Sequence, residues 1–147
     1  MEIVLYQPEI AGNVGAIIRL AANSGVSLNL IKPFGFDLQE NKIRRAGLDY
    51  HDLSNTKTYN SWEEFTKTHS NKNICCLSSK GKDSYWDTNL NQYDFLLFGP
   101  ESIGLPNEII SSYKTITIPM KENSRSINLA NSVGIVVFES LRQASVQ

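Results

Sequence analysis

Apolar and polar positions alternate along this chain in short blocks, and the blocks predict strands and helices in regular succession. Residues 3–6 are a short apolar run closed by Gln7-Pro8, which suits a buried strand. Val14, Ile17, Ile18, Ala21 and Ala22 then recur at helical spacing, with Asn13 placed to cap that helix, Gly25 to close it and Arg19 off the apolar stripe. Residues 26–31 set Val26, Leu28 and Leu30 against Ser27 and Asn29, a second strand broken by the Lys32-Pro33-Phe34-Gly35 turn. Loose periodicity of Leu38, Ile43 and Ala46 predicts a short helix over 37–48. Residues 56–59 read as a third strand. Ser61 and Glu64 have the spacing of a capping box, each side chain satisfying the other's backbone amide, and open a helix that runs to about Thr68. A fourth strand is expected over 73–79, around Ile74-Cys75-Cys76-Leu77, and a fifth over 93–98, apolar enough to be covered on both faces. Pro106 can start a helix over 107–112, and a sixth strand around Ile116-Thr117-Ile118 stops at Pro119. No turn signal interrupts 129–142, so that run is expected to be a helix, although Gly134 to Phe138 is β-branched.

Strands alternating with helices, without a repeat, low-complexity tract or linker, predict one α/β domain over 1–147 with a mostly parallel sheet flanked by helices. At 147 residues the chain can bury roughly two thirds of its unfolded surface, so it needs no staple. The two cysteines, Cys75 and Cys76, are adjacent and cannot close a loop, and no Cys/His spacing suits zinc, so a reduced protein without a metal is expected. Glu2 stands where a leader would carry Lys or Arg, and no stretch approaches the ~18 apolar residues of a membrane span, so a soluble, cytoplasmic protein is expected. A net charge of −1 offers no global field for a polyanion. Any contact with RNA is therefore local, at Lys42, Arg44 and Arg45, at Lys80 and Lys82, or at Lys121 and Arg125.

Ligands of open parallel sheets bind at the carboxyl ends of strands. Three predicted ends carry unusual sequences that can converge: Leu77-Ser78-Ser79-Lys80-Gly81, Phe98-Gly99-Pro100-Glu101, and Ile118-Pro119-Met120 onward. Neither a GxGxxG fingerprint nor a P-loop is present, which disfavours a dinucleotide or a nucleoside triphosphate. The polar loop 121–126 leads into Asn128 and Asn131 at a helix head, and offers hydroxyls, amides and backbone N–H groups at one point. An ordinary strand–turn–helix corner would carry similar residues.

Taken together, Asn13-x-Gly15-x-x-x-Arg19, KIRRAGLDYH at 42–51, FGPESIGLP at 98–106 and IPMKENSRSINLANSVGIVVFE at 118–139 resemble the SPOUT superfamily of RNA methyltransferases. Within it, the chain is most similar to small bacterial tRNA 2′-O-methyltransferases that act on the wobble cytidine or uridine of leucine tRNAs. The resemblance implies an α/β sheet with a C-terminal deep trefoil knot threaded by residues 114–143, and a homodimer that takes the anticodon stem-loop of tRNA. It also implies S-adenosylmethionine at Leu77, Gly99, Ile118 and Ser126, with Met120 and Leu129 as wall residues. Departures are Val14 and Ala16 where relatives carry polar residues, Ile103 where they often have Arg, and Phe138 where they often have Tyr.

Methyl transfer to a ribose hydroxyl needs in-line approach, relief of the hydroxyl proton and stabilisation of the developing alkoxide, and none of these requires a metal. A guanidinium stays protonated and is a poor base. Arg19 and Arg125 are therefore expected as an anionic clamp, Ser124 and Asn128 as positioning groups, and Glu101 as an orienter of backbone or cofactor. His51 and His69 read as surface or core residues, and Cys75 and Cys76 as packing on opposite faces of a strand. Trp62, Trp86 and Tyr85 could stack on RNA bases, but read better as core or dimer contacts. Two alternatives remain open, methylation of ribosomal RNA and a non-catalytic RNA- or nucleotide-binding module of the same fold.

Overall fold

The structure, a computed structural model, describes residues 1–37 and 48–146. The helix expected over 37–48 and the Lys42, Arg44 and Arg45 cluster lie almost wholly outside the described residues. In chain order the elements are β1 (Glu2–Tyr6), α1 (Ala11–Ser24), β2 (Leu28–Ile31), α2 (Tyr50–Leu53), β3 (Thr56–Tyr59), α3 (Trp62–Thr68), β4 (Ile74–Leu77), β5 (Asp83–Ser84), β6 (Phe95–Phe98), α4 (Asn107–Ser112), β7 (Lys114–Thr117) and α5 (Leu129–Ser145). The strands form one sheet in the order β3-β2-β1-β6-β4-β7-β5, and every pairing is parallel. All six expected strands form. The short β5 is additional: it is polar and pairs only with β7, at the sheet's edge, so no apolar block announces it.

The period of two along each strand sorts side chains to opposite faces. On one face Ile3, Leu5, Leu28, Leu30, Cys75, Leu77, Leu96 and Phe98 pack with Val14, Ile17 and Ile18 of α1 and Val133, Val136 and Val137 of α5. On the other, Val4, Ile31, Ile74, Cys76, Phe95 and Leu97 pack with Phe65 of α3 and Ile109 of α4. Cys75 and Cys76 thus face opposite layers, and burial pushes both thiols up to about 12. Trp62 belongs to the second layer, stacked 5.6 Å from Phe65, and His69 packs on Phe65 and Phe95 with Nε2 3.0 Å from the Tyr59 hydroxyl. Trp86, in contrast, is 55% exposed in the single chain, so it is not a core residue.

Local capping departs from the sequence reading in two places. Helix α1 begins at Ala11 with Ile10 at its cap position, so Asn13 does not cap it but sits buried in its first turn. At α3, Ser61 Oγ accepts the Glu64 N–H at 3.1 Å as expected, but the Glu64 carboxylate accepts the Asn60 N–H at 2.6 Å instead of that of Ser61. A four-residue helix, α2, also forms where the sequence shows no period, because Asp49 and Asp52 make a reciprocal capping box.

Because β6, β4 and β7 are parallel neighbours, their carboxyl ends lie side by side. Residues 118–128 then lead from β7 to α5, which packs against α1 on the β1 side of the sheet. Ile118, Met120, Ser126, Ile127 and Asn128 of that connection line one cavity with Leu77 and Gly99 at the ends of β4 and β6. Among the described residues no helix is long and apolar enough to cross a membrane.

Candidate functional site

The carboxyl ends of β4, β6 and β7, with the head of α5, enclose a cavity of about 460 Å³. Its walls include Leu77, Phe98, Leu105, Ile118 and Leu129, with the hydroxyls of Ser78, Ser79, Thr117, Ser126 and Ser132 among them. Sequence dictates this shape locally. Gly99 ends β6 where an added Cβ would lie 2.4 Å from the Leu105 nitrogen, so only glycine lets the 99–105 loop fold back on itself. Asn123 takes a left-handed φ of 60°, tolerable for Asn, in the turn closed by the Ser124 N–H on the Lys121 carbonyl at 3.2 Å.

One chain of side-chain hydrogen bonds ties the cavity's walls together. The Glu101 carboxylate accepts the Glu9 N–H at 2.8 Å, the Ile10 N–H at 3.1 Å and Asn13 Nδ2 at 3.1 Å, and so serves the amino terminus of α1 from a distant loop. Glu9 reciprocates, accepting the Ser102 N–H at 2.8 Å and its hydroxyl at 2.6 Å. Asn13 passes the link on: its Oδ1 accepts Asn128 Nδ2 at 2.9 Å, while Asn128 Oδ1 caps α5 through Ala130 N at 2.9 Å and Asn131 N at 3.2 Å. Burial alone would raise the Glu101 carboxyl, but the N–H donors of Glu9 and Ile10 and the Asn13 amide outweigh it and hold the group below its usual value.

Every residue expected at the cofactor, namely Leu77, Gly99, Glu101, Ile118, Met120, Ser126 and Leu129, lines this cavity, as does Asn128. Glu101 accepts hydrogen bonds from two backbone N–H groups and the Asn13 amide. Arg19, Ser124 and Arg125 are exposed and stand outside the lining. Asn13 is one lining residue that sequence reasoning misses as such; it lies within the first motif but reads there as a helix cap. The cavity fits an adenosine cofactor with an amino-acid tail. Its volume falls in the range of about 300–1,000 Å³ typical of small-molecule sites, and it sets apolar side chains beside hydroxyl-bearing residues and one lysine. Among the described residues no group of His, Cys, Asp and Glu could hold a metal ion.

Comparison with known proteins gives a consistent result. The SpoU rRNA Methylase family matches residues 1–138. The tRNA (cytidine(34)-2′-O)-methyltransferase of Aeromonas hydrophila is 45% identical over 97% of this chain and 94% of its own. That of Escherichia coli K12 is 40% identical over 97% and 93%. A solved structure concerned with the 2-OH methylation of C/U34 on tRNA superposes with a TM-score of 0.91 at 39% identity, covering 99% of this chain and 97% of that one. An AdoMet-bound rRNA methyltransferase from Sinorhizobium meliloti superposes at 0.84 with 25% identity, covering 96% of this chain and 55% of that one.

Proposed function

The chain belongs to the SpoU rRNA methylase family, and on that premise we propose that it is an S-adenosylmethionine-dependent tRNA 2′-O-methyltransferase acting on the wobble ribose, cytidine or uridine 34. The observation that carries this reading is the convergence of every expected cofactor residue on one cavity, in a chain 40–45% identical to tRNA methyltransferases along nearly its whole length. Bound there, S-adenosylmethionine supplies a methyl group on a positively charged sulfur, open to attack by a hydroxyl oxygen.

The protein's own residues divide the remaining work. Leu77, Gly99, Ile118, Met120, Ser126 and Leu129 hold the cofactor and keep water from its apolar parts. Glu101 and Asn128 act as positioning residues, since the carboxylate and both ends of the amide are occupied by protein partners. Arg19 and Arg125, exposed and outside the cavity's lining, would clamp a phosphate or the developing alkoxide, with Ser124 as a positioning group.

The same reading extends to leucine tRNAs, to a single cytoplasmic domain that needs no metal, and to a homodimer. Ile135 and Phe138, 37% and 58% exposed on α5, support the dimer as apolar positions that a partner subunit would cover. That Ile118, Met120 and Ser126 line one cavity with the ends of β4 and β6 supports a trefoil knot in this segment. Identity of 40–45% to the tRNA enzymes, against 25% to the rRNA methyltransferase, favours tRNA over ribosomal RNA.

Purified protein given a methyl-labelled donor should label a tRNA pool and leave ribosomal RNA unlabelled. Label in ribosomal RNA alone would transfer the activity to that substrate. Donor binding without transfer to either would make the chain a binding module. Arg19→Lys keeps the charge but loses the planar fork, so it should retain donor binding while turnover falls; near-normal turnover would remove Arg19 from the clamp.

A further inference from the structure

Among the described residues lining the cavity, Lys80 and Glu101 are the charged ones. Glu101 is already engaged by three donors, whereas Lys80 has capacity to spare. Its Nζ donates to Asn107 Oδ1 at 3.0 Å, which uses one of three ammonium protons. That contact ties the turn after β4 to the head of α4, which follows the 99–105 loop of the cavity wall.

The turn that carries Lys80 is tightly built. The Ser78 N–H donates to the Ile116 carbonyl at 3.0 Å, the Gly81 N–H to the Ser78 carbonyl at 3.0 Å, and the Lys80 N–H to Ser78 Oγ at 3.2 Å. A Cβ on Gly81 would lie 2.4 Å from the Ile116 carbonyl carbon, so the turn rests directly on β7. Lys80 therefore leaves the backbone from a fixed point. It shares its cavity with Leu77, Gly99 and Ile118, while Arg19, Ser124 and Arg125 line none of it.

Resting on the reading of this cavity as the S-adenosylmethionine site, we propose that Lys80 pairs with the carboxylate of the cofactor's amino-acid tail. It is then a specificity-determining residue, separating the intact cofactor from adenosine compounds that lack the tail.

Calorimetry with S-adenosylhomocysteine and 5′-methylthioadenosine, the second lacking the carboxylate, tests this on wild type, Lys80→Gln and Lys80→Arg. Lys80→Gln should weaken S-adenosylhomocysteine by roughly 10-fold, the loss expected for a charge-assisted hydrogen bond at a partly open site, and leave 5′-methylthioadenosine within about twofold. Lys80→Arg should keep S-adenosylhomocysteine within about threefold of wild type, because it retains a cationic donor. Equal weakening of both compounds by Lys80→Gln would show that Lys80 only holds the turn, and would overturn the assignment. Unchanged S-adenosylhomocysteine binding with weaker, less salt-dependent tRNA binding would overturn it in favour of a phosphate contact. If wild type bound neither compound, the cofactor reading itself would fall, and the role of Lys80 with it.

Discussion

Replacing Glu101 with Gln removes one acceptor from the joint between α1 and the 99–105 loop. The carboxylate serves three donors: Oε2 takes the Glu9 N–H, and Oε1 takes the Ile10 N–H and Asn13 Nδ2. A Gln carbonyl turned toward Ile10 and Asn13 leaves its NH₂ facing the Glu9 N–H, donor against donor. One lost hydrogen bond to a charged group is worth about 1.5 kcal/mol. The lost negative charge at the start of α1 adds about 0.5 kcal/mol. The sum, about 2 kcal/mol, should lower the Tm by roughly 4–8 °C in a domain of this size. The pH dependence has a definite sign. Hydrogen bonding holds the Glu101 carboxyl below its usual 4.5, so the folded state favours the ionised form. Wild type therefore keeps its full advantage above that value and loses it as pH falls through the lower folded-state value. Thermal melts of both proteins should show a constant gap from about pH 8 to 6 that closes below 4.5. No gap near neutrality, or one that persists until wild type itself unfolds in acid, would refute the role given to Glu101.

Further outcomes follow from the same contacts. Asn128→Ala removes the α5 cap and the link to Asn13, and should cost about 1–2 kcal/mol in urea unfolding while weakening S-adenosylhomocysteine binding through a loosened wall. Gly99→Ala forces a Cβ to within 2.4 Å of the Leu105 nitrogen, and should abolish S-adenosylhomocysteine binding in calorimetry even where circular dichroism shows a folded protein. Cys75 and Cys76, buried with thiols pushed up to about 12, should resist iodoacetamide in the native protein near pH 8 and react only on unfolding, because the thiolate is the reactive form.

Strands β1, β2, β4 and β6 were legible because each is an apolar block buried on both faces of a parallel sheet, and α5 was legible because its length outweighs its β-branched residues. The residues that line the cavity were legible through motifs at three strand ends, which the parallel topology brings to one edge. What escaped is nonlocal or polar. Asn13 looks like a cap beside its chain neighbours, yet its partners Glu101 and Asn128 lie 88 and 115 positions away. Glu64 shows the same limit at short range, since spacing names the box but not which exposed N–H the carboxylate reaches. The short strand β5 has no apolar residue to announce it, and Trp86 is exposed although its type favours burial.

The central claim is methyl transfer to the wobble ribose, and mapping 2′-O-methylation at nucleotide 34 of tRNA from a strain lacking this protein tests it most directly. The methyl group at position 34 should be absent from leucine tRNAs of that strain, return when the wild-type chain is supplied, and not return with Gly99→Ala. An unchanged position 34, with a methyl group missing from ribosomal RNA or from no RNA, would contradict that claim.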